Sequence, residues 1–137
     1  MAKLSGLGMS GLTVQDSGGV ARDITNDVLD ITMGNPMATF DVTGIDKSVH
    51  ERLPALQDAK ITITVAFNPA TNRAHQVLSQ GQTVPRQIVI PFPATGGALA
   101  TATLTGLITD YSPTRTNTGQ LTAKATIDAS GGVVTWS

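Results

Sequence analysis

From Lys60 to Phe67 the chain reads KITITVAF, with Ile61, Ile63, Val65 and Phe67 at every second position and Thr62, Thr64 and Ala66 between them. Successive side chains of an extended backbone point to opposite faces, so this alternation dictates a strand with one apolar face and one face of hydroxyls and methyls. The pattern returns twice. ALATATLTGLITDY sets Ala98, Ala100, Ala102, Leu104 and Ile108 against Thr101, Thr103, Thr105, Thr109 and Tyr111. QLTAKATID sets Leu121, Ala123, Ala125 and Ile127 against Thr122, Lys124 and Thr126. Strands of this kind bury one face each only by sharing a core, which points to antiparallel sheets rather than to helices or to a doubly covered parallel sheet.

The rest of the chain adds shorter strands and few helix signals. LTVQDSGGVARDI reads as a hairpin whose turn, Asp16 to Gly19, has glycines able to supply positive φ. VLDITM and MATFDV are extended runs parted by GNP, where Pro36 forbids helix. QIVIPF is a wholly apolar strand ended by Pro91 and Pro93, and SPTRTNTG is a polar connection ending in Gly119. Trp136, the only Trp, is expected to anchor a final strand. Asn68 is a strong N-cap type and Pro69 suits a first helical position, so a helix is predicted over Pro69 to Gln80, closed by Gly81, with Ala70, Ala74, Val77 and Leu78 toward the core. Ser48 and Glu51 have the spacing of a capping box, predicting a second short helix that Pro54 ends. The fold class is therefore mainly β, an antiparallel β-sandwich or barrel of about seven or eight strands with one or two short helices. Residues 1–10, rich in Gly and Ser, are expected to form a flexible arm, either a plain disordered tail or one that orders on assembly with Leu4, Leu7 and Met9 buried between subunits; residues 11–137 are expected to form a single domain.

Charge is scarce. Asp, Glu, Lys and Arg make up 14% of the 137 residues, against ~25% in an average soluble domain, while Thr occurs 20 times. A solitary protein keeps itself soluble with a charged surface, so this composition implies an outside largely covered by neighbours. The charge is also uneven: Val14 to Asp58 holds eight acids against Arg22, Lys47 and Arg52, a balance of −5, and the remainder carries +4. Such a dipolar chain suits head-to-tail association. No Lys and Arg cluster is dense enough for nucleic-acid binding by counterion release. No run approaches the ~20 apolar residues of a membrane span, and the start has no signal-peptide core.

The motifs that suggest chemistry fail on inspection. FDVTGIDKSVHERL offers Gly, Lys and Ser, but a phosphate loop needs glycines where this chain has Asp41 and Asp46, and two carboxylates repel a phosphate. Zero cysteines exclude disulfides, thiolate catalysis and Cys-ligated zinc. His50 and His75, the only histidines, have no metal-site spacing. GMSG lacks the second Gly of a nucleophile elbow. Asp23, Asn26, Asp27 and Asp30 do not follow the calcium-loop pattern, and turn or strand-edge roles suit them better. No catalytic, cofactor-binding or metal site emerges.

LTVQDSGGVARDITNDV, DVTGIDKSVHERL, FNPATNRAH and DYSPTRTNTGQLTAKATIDASGGVVTW, in that order, together resemble the major tail protein, or tail tube protein, of long-tailed bacteriophages of actinobacterial hosts. The resemblance spans nearly the whole chain after about Gly11. It implies a β-sandwich with a flanking helix, similar to the type VI secretion tube protein, and the bare tube unit without a further immunoglobulin-like domain. It implies six-membered rings stacked into a non-contractile tail tube, assembled in the host cytoplasm and carried on the virion. It also implies a tape-measure protein inside, tail tip and tail terminator proteins at the ends, and double-stranded DNA passing without specific binding. A lumen poor in Lys and Arg lets the duplex slide, which makes Asp30, Thr32, Thr39 and Asp41 candidates to face it. The competing reading is a soluble β-sandwich binding module of carbohydrate- or adhesin-like type. Sugar binding usually employs exposed aromatics, and this chain has few.

Overall fold

The computed structural model describes residues 8, 10–80, 84–93, 99–131 and 134–137. Ten strands are present among them: β1 Thr13–Gln15, β2 Ala21–Asp23, β3 Val28–Gly34, β4 Met37–Asp41, β5 Arg52–Gln57, β6 Lys60–Ala66, β7 Arg86–Pro91, β8 Thr101–Arg115, β9 Leu121–Ala129 and β10 Thr135–Trp136. A 3-10 turn spans Thr25–Asp27 and one helix, α1, spans Ala74–Ser79. Eight strands form one antiparallel sheet in the order β2-β1-β7-β8-β9-β6-β3, with β10 on β8, while β4 and β5 pair only with each other. The mainly β, antiparallel class matches the sequence expectation; the long sheet does not close into a barrel.

The alternation read from the sequence is what builds the core. In β6, Ile61, Ile63 and Val65 are buried and the Thr residues between them are not; β9 does the same with Ala123, Ala125 and Ile127. The two strands run in unbroken register from Lys60↔Asp128 to Ala66↔Thr122, so their apolar faces coincide. Val14 from one end of the sheet and Ile63 from the other belong to a single buried cluster with Ile88, Ile90, Leu104 and Ile108. A flat layer would leave those ends far apart, so the sheet coils around one core, with Val77 and Leu78 of α1 helping to cover it.

Three sequence expectations change here. First, β8 has a register shift between Ile108 and Asp110, and the extra residue swaps the faces beyond it. Tyr111, expected among the Thr side chains, therefore packs against the core opposite Ala125 and hydrogen-bonds His75 Nδ1 at 2.9 Å. The strand also runs on through Arg115, so the connection to β9 shrinks to a turn at Thr116 to Gly119.

Second, the helix begins at Ala74, not at Pro69, with Arg73 in the N-cap position and no side-chain cap of its own. Asn72 sits at φ 63, a left-handed conformation that no helix passes through, so residues 69–73 form turns instead. Asn68 acts before the helix: its Oδ1 accepts from the Ala70 N–H, and its Nδ2 donates to Asp27 Oδ1 at 3.0 Å. The other oxygen of Asp27, a buried residue, accepts the Ala74 N–H. The buried donor at the start of α1, which has no partner within the helix, is thus met from the 3-10 turn, forty-seven residues away in sequence. Gly81, expected to close the helix, lies outside the described residues.

Third, no helix follows Ser48. Arg52 to Gln57 form strand β5, paired with β4 through Asp41↔Arg52, Phe40↔Leu53 and Thr39↔Pro54. The Glu51 N–H, which a capping box would place inside a helix, bonds the Thr43 hydroxyl at 2.9 Å, and its carbonyl accepts the Val42 N–H. Pairing across the hairpin satisfies the backbone that a helix would have satisfied locally.

Two features of the core went unseen in the sequence. Arg86 alternates with Ile88 and Ile90 and so points inward, fully buried, donating from Nη1 to the Val77 carbonyl near the C-terminal end of α1. Among the described residues its Nε and Nη2 have no hydrogen-bond partner, and burial pushes the guanidinium pKa down while Asp16 pulls it up. The cation meets a helix end that favours positive charge, at the cost of two buried, unpaired donors. Directly opposite Arg86 lies Gly106. A Cβ there would stand 2.7 Å from the Asp128 carbonyl oxygen and 2.9 Å from Ile127 Cγ2, so β8 and β9 approach each other only because this residue has no side chain. Gly106→Ala is expected to destabilise the fold by about 1–3 kcal/mol, because backbone cannot yield as a side-chain tip can. Gly34→Ala, where a Cβ meets nothing within 4 Å, should stay within about 0.5 kcal/mol. Urea-denaturation midpoints of the two variants test the contrast.

Candidate assembly surfaces

The hairpin of β4 and β5 stands apart from the sheet. Every residue of β4 is exposed, and so is every residue of β5 except the partly covered Ala55. Exposure falls on large apolar groups: Phe40 at 63%, Leu53 at 54%, Leu56 at 84% and Ile45 fully. Phe40 and Leu53 are direct register partners, so their side chains leave the ribbon on the same side. An isolated two-stranded hairpin is marginal in water, and a monomer seldom displays so contiguous an apolar surface without using it.

A polar latch holds the hairpin's loop. Asp41 Oδ1 accepts from both the N–H and the hydroxyl of Thr43, and Asp41 Oδ2 lies 3.1 Å from His50 Nδ1. The Thr43 hydroxyl also accepts the Glu51 N–H. Lys47 and Glu51 form an exposed ion pair at 3.6 Å. The Thr43 hydroxyl above all, then the Thr43 N–H and the His50 ring, hold the Asp41 pKa below its ordinary value.

The second surface is the polar face of the long sheet. Its register makes rows across four strands: Thr32, Thr62, Thr126 and Asp110 in one, and Asp30, Thr64, Lys124 and Ser112 in the next. Lys60 and Asp128 close a third at 4.0 Å. Hydroxyls dominate, and two Lys against three Asp leave these rows close to neutral.

Of the four lumen candidates, Asp30 and Thr32 share this face at the outer strand β3. Thr39 and Asp41 belong to the hairpin, opposite Pro54 and Arg52, so the structure does not bring the four together. Ser48 and Glu51 lie in the hairpin's loop, and Asn68 serves the turn before α1. Leu4, Leu7 and Met9 lie outside the described residues. His50 belongs to the latch, and His75 stacks on Phe67 with ring centroids 4.4 Å apart. Of the acids weighed for calcium, Asp23 bonds the N–H and hydroxyl of Thr25, while Asp27 is committed to Asn68 and Ala74.

The sequence reading missed a third surface, an open groove of about 540 Å³ lined, among the described residues, by Met33, Phe92, Pro93, Ala100 and Trp136. Met33 comes from one end of the sheet path; Phe92 and Pro93 follow β7, Ala100 precedes β8 and Trp136 lies in β10. The Phe92 and Trp136 rings meet at 5.8 Å. The signal present in the sequence was an aromatic beside each of two strand ends, which only tertiary folding makes neighbours.

No protein-family model and no curated protein sequence matches this chain. Solved structures do. The chain is similar to a protein in the tail of an empty gene transfer agent particle with C6 symmetry, at a TM-score of 0.68 and 17% identity over 92% of this chain and 95% of that one. It is similar to a protein in the virion of a native gene transfer agent particle at a TM-score of 0.67 and 18% identity, with the same coverage. At such identities the likeness establishes a shared fold.

Because the folded Asp41 carboxyl holds its proton less tightly than in the unfolded chain, its ionised form stabilises the hairpin above the ordinary carboxylate range. That contribution is lost as pH falls through the lowered pKa. In an acid titration followed by NMR, the Thr43 and Glu51 amide shifts should move together with a midpoint below that of an unstructured Asp. Asp41→Asn should abolish that transition.

Proposed function

We propose that this chain is the subunit of a tail tube, a structural virion protein that self-assembles into stacked rings and forms the conduit for genome delivery. The observation that carries this reading is the projecting hairpin, whose Phe40, Ile45, Leu53 and Leu56 are exposed in one copy and are relieved of water only by another protein surface. The fold shared with a tail protein of a C6-symmetric particle supports six subunits per ring. Neighbouring copies join laterally through the sheet's free edges, β3 on one side and β2 on the other, converting unpaired backbone groups into an interface.

The Thr rows suit the lumen. A duplex passing through a channel must not be held, and a near-neutral hydroxyl wall offers water-like contacts without the clustered Lys and Arg that displace counterions. In this arrangement Asp30 and Thr32 face the lumen with Thr62, Thr64 and Thr126, whereas Thr39 and Asp41 lie on the hairpin between rings. The partners are other copies of the chain, a tape-measure protein within, tip and terminator proteins at the ends, and DNA in transit. The particle assembles in the host cytoplasm, and the protein has no catalytic role.

Negative-stain electron microscopy of the purified protein over a concentration series tests the reading. Hollow tubes or stacked rings are the expected outcome; uniform small particles at every concentration, even with a tape-measure partner added, would transfer the lead to a soluble binding module. The lumen assignment has its own test. Asp30→Lys with Thr32→Lys should leave tube length unchanged in phage particles and slow genome delivery, and normal delivery would sink it.

A further inference from the structure

We propose that the Phe40 and Leu53 face of the hairpin seats in the groove of Met33, Phe92, Pro93, Ala100 and Trp136 on a second copy of the chain. The inference rests on the tube reading and identifies the contact by which successive subunits stack. The hairpin and the groove lie close along the chain, since Met33 precedes the hairpin by four residues and the Asp58 N–H bonds the Pro36 carbonyl at the hairpin's base. They nevertheless do not meet within one copy, because all of β4 is exposed. Each is an apolar surface without a partner among the described residues.

Their shapes and chemistry match. Phe40 and Leu53 stand directly opposite each other and form a two-side-chain knob. A groove of about 540 Å³ has room for that pair with neighbours, and among the described residues none that lines it bears a charge. Phe40 would add a third ring beside Phe92 and Trp136, where tilted aromatic contacts at such distances are favourable. Size also fits. Val42, Ile45, Val49 and Leu56, each exposed, extend the apolar surface around the knob toward the ~800 Å² per partner that a specific interface buries. A knob on one part of a chain and its hole on another can make a heterologous, head-to-tail contact, which propagates from copy to copy wherever it does not close on itself. That is the geometry stacking requires.

Trp136 is the only Trp and lines the groove at 42% exposure, so its emission reports occupancy directly. As wild-type protein assembles, the emission should shift to the blue and become shielded from a soluble quencher. F40S/L53S, altered only at exposed positions, should raise the critical concentration for assembly by at least ~10-fold. A100E, which places a charge in the groove, should do the same, with circular dichroism verifying that both variants are folded. Mixing the two leaves one intact knob and one intact hole, so the mixture should grow two layers deep and stop. Tubes that form from wild-type protein without change in Trp136 emission, or normal tubes from F40S/L53S, would overturn the docking while leaving the tube reading in place. A blue shift lost on deleting Met1 to Ser10 but kept in F40S/L53S would assign the groove to the N-terminal arm and overturn it likewise. Failure of the wild-type protein to assemble under any condition would remove the tube reading itself.

Discussion

The pairing of β6 with β9 and of β9 with β8 is the constraint on which the rest of the molecule depends. Seven consecutive residue pairs lock β6 to β9, so Ile61, Ile63 and Val65 share one face with Ala123, Ala125 and Ile127. A slip of one residue would send every one of those side chains to the other face, which is why the register is so strongly specified. The same arithmetic sends Thr62, Thr64, Thr122, Lys124 and Thr126 outward together. One alternation thus makes both the hydrophobic core and the hydroxyl surface, and a slip in register would exchange the two.

Around that centre the molecule uses a few polar side chains for long-range ties. Asp27 joins the turn before β3 to Asn68 and to the first N–H of α1. Arg86 reaches from β7 to the other end of the same short helix. A helix of six residues is too short to be stable by itself, so its two ends are held by groups from elsewhere in the chain. Gly106 contributes by absence, allowing β9 to lie close where any side chain would intrude.

The hairpin follows a different logic. Its inward-facing backbone groups pair across the ribbon and its loop is fastened by Asp41, Thr43 and His50, yet its apolar side chains are left in water. A fold that buries Ile61, Ile63, Ile88, Ile90, Ile108 and Ile127 completely in the sheet and displays Phe40, Leu53 and Leu56 on a projecting ribbon separates two tasks. The sheet makes the molecule stable; the ribbon carries apolar surface left in water. Sparse charge is consistent with that division, since surface destined for contact gains little from ions that must be desolvated.

Local alternation determined the class of fold, the inward face of β6, that of β9 from Ala123 onward although Leu121, expected inward, is exposed, and the first part of β8, because two-residue periodicity is a property of neighbouring residues alone; turn residues gave the hairpin after Asp16. Where a local signal competed with a distant partner, the distant partner prevailed. Ser48 and Glu51 had capping-box spacing, yet pairing with β4 drew Arg52 to Gln57 into a strand. Asn68 and Pro69 resembled a helix start, yet Asp27 holds the start at Ala74. One bulge after Ile108 moved Tyr111 from the polar face to the core, a change that no periodicity announces. The separation of Thr39 and Asp41 from Asp30 and Thr32, and the meeting of Met33 with Phe92 and Trp136, were likewise decided only in three dimensions. The sequence by itself determined which side chains leave each strand on the same side; the tertiary structure decided which strands lie together, because that depends on contacts between residues far apart along the chain.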